Sequence, residues 1–419
     1  MSILEYLSKK EIWLEFYEYK VSAGHLNKAE ADLLRHFIEN TEYTETAARL
    51  QNGGGFSVPE KKSINKMLTG KKRTVYLFPR NEMYIMKLIC FLLYKYDSKL
   101  TDSCYSFRRG INAKTAVRKI VSLRGADKKY CVKADIHNYF NSIPAKELAL
   151  ALENIITDDP ALLKLLRDLL TLDKAYENGR LITENRGAMA GCPLSPFFAN
   201  FYLNDIDRQF GQKNICYCRY SDDILFFADT AEEASSLLDE LKAALSEKGL
   251  ALNPEKCVVS APGEGWEFLG FSYKNGNIDL SRATKSKTKA KIRRKAKALY
   301  RWSRKKGLSY DKAARAMIKR FNRKFYDDTH EGDFSWSRWF FPLLTTAEGL
   351  KEIDAYMLEY IRFLKSGRHY KGNYRMKYSE IKVLGYRSLV NEFYKAKKQA
   401  DKIFQNSQNF NSNRHDTVL

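Results

Sequence analysis

Two adjacent aspartates stand between apolar segments in the stretch RYSDDILFFAD, residues 219–229. Asp222 and Asp223 are followed by four apolar residues, ILFF. This pattern predicts two strands, ICYCRY and ILFFA, joined by a tight turn at residues 221–223. Because neighbouring carboxylates repel each other, a chain that presents both of them between buried strands is expected to place a cation there.

Asp135 provides a third carboxylate in a similar setting. It closes the strand-like part of KYCVKADIHNYF, residues 129–140, and precedes a turn at 141–144. Mg²⁺ prefers oxygen ligands, and two such ions can activate a 3′-hydroxyl and stabilise a pyrophosphate leaving group. We therefore expect a magnesium site, with Mn²⁺ as the other candidate ion. For the aspartate pair by itself, the alternative is a solvated hairpin tip.

The charge of the chain narrows its class of partner. The formal net charge is +22, from 72 Lys and Arg against 50 Asp and Glu. A surplus of this size favours a polyanion, most simply nucleic acid, and the alternative is a soluble protein of a basic proteome. The hydrophobic content of 44% argues against wholesale disorder.

The sequence shows no pattern typical of a secretory signal, a membrane-spanning segment or a cysteine-based zinc site. The start, MSILEYLSKKEIWLEFYEYK, lacks the pattern of a secretory signal. No apolar run approaches the roughly 18 residues that span a membrane. The seven cysteines are scattered without paired zinc-ligand spacing. We expect a reduced, cytoplasmic protein with no membrane association.

Helices and short strands alternate irregularly along the chain. Helices are expected over 1–50, one of them from His25, and the glycine-rich stretch QNGGG at 51–55 indicates a loop. A strand is expected over 71–79, and further helices over 81–100 and 197–210. The strands fall in the middle, and residues 281–306 carry thirteen basic residues and no acid. This basic segment is expected to form a helix, with a disordered linker as the alternative. The order predicts an α+β fold with an antiparallel sheet.

Several segments together resemble the successive palm motifs of reverse transcriptases. In chain order they are ADIHNYFNSI (134–143), GAMAGCPLSP (187–196), YSDD (220–223), GLALNPEK (249–256) and FLGF (268–271). RTVYLFP (73–79) and SFRRG (106–110) are similar to finger motifs of the bacterial branch that includes group II intron proteins and retrons. The resemblance, over about 70–275, implies a right-hand polymerase: a reverse transcriptase, which is a nucleotidyltransferase.

The resemblance assigns the metal site and part of the nucleotide site. Asp135, Asp222 and Asp223 would be the catalytic metal ligands, and Ile136 would add its backbone carbonyl. Phe140 would stack under the incoming sugar and favour dNTPs over rNTPs, because its ring would clash with a 2′-hydroxyl. The alternative for Phe140 is an ordinary core residue, which is the role expected of Tyr139.

Three further residues of the nucleotide site follow from the same resemblance. Arg73 would grip the triphosphate, since a guanidinium binds phosphate oxygens in a bidentate way. Gly191 would let the backbone approach the nucleotide, although Ala190 stands where the family usually has glutamine. Lys256 would protonate the leaving pyrophosphate as a general acid, with a surface lysine as the alternative.

The primer and template contacts are expected further along the chain. Leu269 and Gly270 belong to a motif that resembles the primer grip. The basic segment resembles the thumb, where Lys291, Arg293 and Arg294 would bind backbone phosphates without sequence preference.

The resemblance also predicts a domain order. It is a helical N-terminal extension (1–58), fingers (59–134), a palm with inserted finger helices (135–275), a basic thumb (276–330) and a helical C-terminal extension (331–419).

The loop at 187–196 and the aromatic, basic C-terminal region are most similar to the stand-alone unknown-group and defense-associated reverse transcriptases. That subgroup implies dNTP substrates, a structured non-coding RNA template, a complementary DNA product and a role in antiviral defense. Whether the chain forms a homo-oligomer stays open. The alternatives are a group II intron-type reverse transcriptase that also acts as a maturase, and a non-catalytic RNA-binding scaffold.

Overall fold

The computed structural model describes residues 1–23, 26–65, 72–184, 187–326 and 335–415. The chain forms two compact units, Met1–Leu269 and Gly270–Leu419. The first combines sheets with helices, and the second is mainly helical. Within the described ranges, no helix has both the length and the apolar character needed to cross a bilayer.

The first unit contains eleven α-helices among its described residues. They are α1 (Lys10–Ser22), α2 (Lys28–Glu39), α3 (Thr44–Gln51), α4 (Arg80–Leu92), α5 (Ala113–Val121), α6 (Tyr139–Ser142), α7 (Ala145–Glu153), α8 (Pro160–Thr171), α9 (Ser195–Tyr202), α10 (Asn204–Gly211) and α11 (Ala231–Glu247). Short 3₁₀ helices lie at Ile3–Ser8, Leu93–Lys99, Ala126–Lys128 and Pro254–Lys256.

Strands of the first unit form two four-stranded sheets and a short further strand. They are β1 (Glu60–Asn65), β2 (Lys72–Leu77), β3 (Tyr130–Asp135), β4 (Lys174–Glu177), β5 (Arg180–Thr183), β6 (Tyr217–Tyr220), β7 (Asp223–Ala228), β8 (Val258–Ser260) and β9 (Trp266–Phe268).

The sheet that carries the aspartates has the strand order β6-β7-β3-β8. Every pairing in it is antiparallel, as the sequence predicted. Residues Ile224–Ala228 of β7 are fully buried, which explains the continuous apolar run, since a central strand covered on both faces needs no polar face. The two strands that carry the aspartates are therefore the two central strands.

The second sheet has the order β2-β1-β4-β5. Strands β1 and β2 pair antiparallel, and β1 also pairs in parallel with β4 at Glu60 and Tyr176. The sequence predicted β2 but not the β4–β5 hairpin, whose two strands have four residues each. Lys71, which the predicted strand included, lies outside the described residues.

The N-terminal helices belong to the same hydrophobic core as the aspartate-bearing sheet. This core runs from Ile3 to Leu250. Trp13 is stacked on Tyr43 with 5.0 Å between ring centroids. The buried carboxylate of Glu82 accepts hydrogen bonds from the Ser57 backbone (3.0 Å) and hydroxyl (2.7 Å). The segment that follows the glycine-rich stretch is therefore anchored to α4.

The second unit begins with a β-hairpin and continues as helices. The elements are β10 (Phe271–Lys274), β11 (Asn277–Leu280), α12 (Arg282–Lys305), α13 (Tyr310–Tyr326), α14 (Trp336–Phe340), α15 (Glu348–Ser366), α16 (Tyr378–Val383) and α17 (Leu389–His415), with a 3₁₀ helix at Lys371–Arg375. The basic segment is thus the helix α12 and not a disordered linker.

Three predicted helices have different bounds in the structure. The helix predicted from His25 begins at Lys28, where Asn27 caps it, and His25 itself lies outside the described residues. The segment predicted as one helix over 197–210 is interrupted at Leu203 between α9 and α10. The helix predicted over 81–100 continues beyond Leu92 as a 3₁₀ helix. A change of helix type or a one-residue break leaves the apolar spacing almost unchanged, so it is not visible in the pattern.

Candidate active site

The three predicted carboxylates come from neighbouring strands of one sheet. Asp135 ends β3, Asp223 begins β7, and the two are register partners in the antiparallel pair. Asp222 lies in the turn before β7, and its carbonyl accepts a hydrogen bond from the Ile136 backbone at 3.0 Å. The structure therefore brings Asp135, Ile136, Asp222 and Asp223 together at one end of the sheet.

The turn that carries the aspartates has a strained backbone. Ser221 has φ 60°, a conformation that is unfavourable for residues with a side chain. Its amide donates a hydrogen bond to the Ser106 hydroxyl at 2.9 Å. Such strain persists only where the surroundings hold the backbone firmly, so the turn is a fixed feature of the sheet end.

Burial and mutual repulsion dominate the electrostatics of the three carboxylates. Burial raises the pKa of Asp223 to about 6; Lys133 opposes this shift, and the charges of Asp222 and Asp135 strengthen it. Burial also raises the pKa of Asp222, and the charge of Asp135 adds to it, while Lys256 and Arg73 act in the opposite direction. The carboxylates therefore repel one another in the absence of a metal ion.

Lys256 is the cation closest to this cluster in the described contacts. Its ammonium group lies 2.6 Å and 2.7 Å from the two carboxylate oxygens of Asp135. Asp135 is almost fully buried, whereas the Lys256 side chain is 53% exposed. The carboxylate of this pair is therefore enclosed by the protein, whereas the lysine side chain reaches it from the solvent side.

Backbone hydrogen bonds place Lys256 beside the carboxylate. The Asn253 amide donates to the Asp135 carbonyl at 2.7 Å, and the His137 amide donates to the Ala251 carbonyl at 2.9 Å. Lys256 ends the 3₁₀ helix that follows, which the Asn253 side chain caps. The segment that contains Lys256 is thus attached directly to the end of β3.

The donors fit a divalent metal ion, although they are not arranged as a finished site. Across the residues that the structure describes, no three Asp, Glu, His or Cys side chains form a set ready to hold a metal. The available groups are buried carboxylates whose charges act on each other, and carboxylate oxygens are preferred ligands of Mg²⁺. Lys256 engages one of these carboxylates.

A buried ion pair lies behind the aspartate turn. Arg219 and Asp207 are both fully buried, and the guanidinium makes two hydrogen bonds to the carboxylate. Arg219 also donates to the carbonyls of Ser221 (3.3 Å) and Asn200 (3.1 Å). A buried charge is tolerated only when it is paired and hydrogen-bonded, and this pair connects the turn to α9 and α10.

Gly191 lies against the strand that carries Arg73. It has φ 102°, and a Cβ there would stand 3.0 Å from the Tyr76 carbonyl. The Ala190 carbonyl accepts a hydrogen bond from the Tyr76 amide at 2.8 Å. Both the positive φ and the close approach require glycine, so residue 191 holds the loop against β2.

Asn141 joins this loop to the turn after β3. Its side-chain oxygen accepts from the Ala190 amide at 2.8 Å, and its nitrogen donates to the Thr74 carbonyl at 3.3 Å. The Phe140 carbonyl accepts from the Ala188 amide at 2.7 Å. One asparagine therefore fixes three predicted site segments in a common position.

Arg73 and Phe140 lie on the segments that Asn141 connects. Arg73 is exposed on β2, and its charge acts on the Asp222 carboxylate. Phe140 is half-buried, and its ring is 6.4 Å from that of Phe107. Tyr139 is a core residue, as expected, and its hydroxyl donates to the Ala199 carbonyl at 2.5 Å.

The predicted primer and template residues fall at the unit boundary and in the second unit. Leu269 (φ 49°) and Gly270 (φ 92°) form a turn with left-handed backbone. The Gly270 carbonyl accepts from the Ser281 amide and the Thr284 hydroxyl, both at 2.9 Å. These bonds fix the start of α12.

Two of the three predicted α12 cations are exposed. Arg293 and Arg294 are exposed, and Lys291 is half-buried. On α13, burial together with the charges of Lys291 and Arg320 lowers the pKa of Lys324 to about 8. Positive charges that are held together in this way are suited to binding an anion.

Sequence reasoning missed three residues of this site. Arg219 and Asp207 were not singled out, although an arginine inside a four-residue apolar strand signals a buried partner, because unpaired buried charges are rare. Asn141 carried no signal beyond its place in a turn. Its role depends on two segments that are distant in sequence.

The chain belongs to the reverse transcriptase family. Residues 59–273 match the family described as reverse transcriptase (RNA-dependent DNA polymerase). This confirms the expected enzyme class and, with the mixed helices and antiparallel sheet described above, the expected α+β fold of a right-hand polymerase. Apart from the three cations on α12, the predicted site residues all lie within this range.

Similarity to particular proteins is distant and partial. The chain is 22% identical to the retron Ec86 reverse transcriptase of Escherichia coli over 167 residues, which is 39% of this chain and 48% of that one. It is 31% identical over 94 residues to a retrovirus-related Pol polyprotein from a type-1 retrotransposable element R2 of Nasonia vitripennis, covering 20% of this chain and 9% of the polyprotein. The matches thus span less than half of either relative.

Solved structures with similarity include two of apo telomerase from Candida Tropicalis. One, truncated from its C-terminal domain, is 14% identical with a TM-score of 0.44, covering 54% of this chain and 55% of that one. The other is 13% identical with a TM-score of 0.44, covering 78% and 64%.

Proposed function

We propose that the chain is an RNA-directed DNA polymerase that adds dNTPs to a 3′-hydroxyl. The observation that carries this proposal is the convergence of Asp135, Asp222 and Asp223 at the ends of two central strands, where Asp135 and Asp223 are register partners. A non-catalytic scaffold would gain nothing from carboxylates that repel one another in a buried position. The membership of the family supports the same reaction.

In this proposal the three aspartates hold Mg²⁺, or Mn²⁺, together with the Ile136 carbonyl. The metal would lower the pKa of the attacking 3′-hydroxyl and stabilise the pyrophosphate leaving group. Lys256 pairs with Asp135. A lysine released from Asp135 would carry its positive charge and its proton to the pyrophosphate.

The nucleotide side of the site would be built from three segments that Asn141 connects. Arg73 would bind the triphosphate, since its exposed guanidinium already acts electrostatically on the aspartate turn. Phe140 would lie under the sugar and exclude a 2′-hydroxyl. Gly191 would keep the loop close to β2, so that the loop forms one wall of the nucleotide pocket.

The remaining assignments concern primer, template and domains. Leu269 and Gly270 would contact the primer end, and Lys291, Arg293 and Arg294 would bind backbone phosphates. We propose that the chain is divided at residues 58, 134, 275 and 330 into an N-terminal extension, fingers, palm, thumb and C-terminal extension.

We further propose a bacterial, cytoplasmic enzyme of the stand-alone defense-associated group. It would copy a structured non-coding RNA into complementary DNA and protect its host against phage. The motif resemblance and the partial match to a retron reverse transcriptase support this, and the net charge of +22 suits a large nucleic-acid partner.

The test is to sequence the nucleic acids that copurify with the chain expressed from its native locus. The wild type is compared with Asp222→Ala/Asp223→Ala and with Asp229→Ala, a control at an exposed aspartate at the other end of β7. We expect a discrete RNA with all three proteins and complementary DNA only with the wild type and the control. RNA without DNA, even during phage infection, would favour the maturase or scaffold alternative.

A further inference from the structure

The C-terminal part of the second unit contains a cavity that the polymerase site does not use. It has a volume of about 260 Å³ and lies between α15 and residues 369–374. A cavity of about 150 Å³ is enough to hold a benzene ring. The space is therefore large enough for a planar aromatic group.

Two tyrosines at this cavity are largely exposed. Tyr370 and Tyr374 are 56% and 65% exposed, although tyrosine is intermediate in burial among residue types. The guanidinium of Arg362 lies 5.2 Å from the centre of the Tyr374 ring. Aromatic faces paired with a guanidinium are the surfaces on which unpaired bases stack.

The loop that carries the tyrosines is held in place by hydrogen bonds of a buried side chain. The buried Asn373 donates to the Arg368 carbonyl at 2.6 Å and accepts from the Ser366 hydroxyl at 2.9 Å. Any Cβ at Gly372 would collide with the Tyr370 ring, so glycine lets that ring lie over the backbone. A rigid loop presents its aromatic rings without first having to become ordered.

The charge around the cavity is positive. Residues 366–377, SGRHYKGNYRMK, contain Arg368, Lys371, Arg375 and Lys377 and no acid. The acid in the cavity lining is Glu359, and it is engaged by His369 at 2.8 Å. The His369 ring is itself stacked on Phe363. Cations that flank aromatic rings can neutralise the phosphates on either side of a stacked base.

We propose that this cavity binds one unpaired nucleobase of a single-stranded nucleic acid. The base stacks on the ring of Tyr374, next to the guanidinium of Arg362, and Tyr370 packs against the neighbouring nucleotide. The phosphates of the strand are contacted by Arg368, Lys371 and Arg375. The site lies within the second unit and does not depend on catalysis. The strand is either an RNA or a DNA, because stacking on an aromatic face does not depend on the sugar.

Photo-crosslinking of the full-length chain tests this directly. Single-stranded oligonucleotides with 4-thiouridine or 4-thiothymidine are irradiated with the protein without metal or dNTPs, and the crosslinked peptides are identified by mass spectrometry. We expect crosslinks in the peptide that contains Tyr370 and Tyr374. Tyr374→Ala should reduce their yield about tenfold at limiting oligonucleotide, given the usual contribution of one base–aromatic stack.

Matched variants separate stacking from charge and from folding. Tyr394→Ala removes a tyrosine of 56% exposure on α17 in the same unit and should leave the crosslink unchanged. Arg362→Lys keeps the charge but loses the planar group, so it should weaken the crosslink. The RNA and DNA oligonucleotides show which strand is preferred.

Three outcomes would overturn the proposal. One is the absence of a crosslink in the 366–377 region with either strand. Another is a yield that Tyr374→Ala leaves unchanged. The third is a competitor that displaces the single-stranded oligonucleotide as well as an unlabelled single strand does. If duplex RNA or polyphosphate does so, the patch attracts any polyanion. If an acidic peptide does so, the partner is a protein. The Asp222→Ala/Asp223→Ala chain should give the same crosslink, so failure here leaves the polymerase proposal intact.

Discussion

The ammonium group of Lys256 lies within 2.7 Å of both carboxylate oxygens of Asp135. This lysine occupies the coordination oxygens that a metal ion would need. Asp135 is held by the sheet, whereas more than half of the Lys256 side chain is exposed. We therefore expect the lysine to compete with a metal ion for Asp135.

Replacing Lys256 by glutamine should tighten metal binding and slow nucleotide addition. The competitor for Asp135 is removed, so the Mg²⁺ concentration that gives half of the metal-induced rise in melting temperature should fall. The rate should drop by about 10²-fold or more if the lysine acts as a general acid. Thermal melting against Mg²⁺ concentration and single-nucleotide addition measure the two effects.

Lys242→Gln is the matched control for this experiment. The Lys242 side chain is also 53% exposed and forms an ion pair with a neighbouring aspartate on α11. It should leave both measurements unchanged. Weaker metal binding in Lys256→Gln would mean that the lysine supports the metal site, contrary to the competition inferred here.

The buried pair behind the aspartate turn should dominate local stability. Asp207→Ala leaves Arg219 charged and unpaired in the core, so the free energy of unfolding should fall by about 3–5 kcal/mol. Asp205→Ala on the same helix removes an exposed ion pair and should change it by less than about 1 kcal/mol. Urea unfolding at neutral pH compares the two, and equal effects would refute this role.

The ring of Phe140 should determine the choice between deoxy- and ribonucleotides. Phe140→Ala removes the expected clash with a 2′-hydroxyl, so the preference for dNTPs should decrease by about tenfold or more. Addition of a dNTP should stay within a few-fold of wild type, because backbone hydrogen bonds hold this segment. Single-nucleotide addition with each substrate gives the ratio, and an unchanged ratio would make Phe140 a core residue only.

Lys324 should destabilise the free chain at neutral pH. Its pKa is lowered to about 8 by burial and by Lys291 and Arg320, so at pH 7 it is charged in a place that disfavours the charge. Lys324→Met should raise the melting temperature at pH 7. Between pH 8 and the ordinary lysine pKa of about 10.4, the folded wild type loses this proton before the unfolded chain does, so the difference should shrink.

The same substitution should weaken nucleic-acid binding if α12 and α13 contact phosphates. Lys319→Met, at an exposed position of α13, provides the comparison for stability. A melting temperature of Lys324→Met that is below that of the wild type at pH 7 would contradict the account.

The strands around the aspartates could be predicted because their physical cause is local. The run ILFF after Asp223 is apolar, and the run YCVKA that leads to Asp135 is apolar except for Lys133, because both strands are central. The turn followed from the two adjacent charges. These features need only the sequence of one segment and the cost of burying polar groups.

The rest of the site depends on contacts between distant segments. The Lys256–Asp135 pair joins residues 121 positions apart, and Asn141 connects β2 with the loop at 190. The motif resemblance indicated Lys256 but not its partner. No periodicity in a single segment reports such contacts, so they became visible only in three dimensions.

The most direct test is primer extension by the purified chain on a defined RNA template with Mg²⁺ and dNTPs. Asp222→Asn/Asp223→Asn and Asp229→Asn are assayed beside the wild type. We predict template-dependent DNA synthesis by the wild type and by Asp229→Asn, and none by the double variant. Synthesis that survives in the double variant, or that ignores the template sequence, would contradict it.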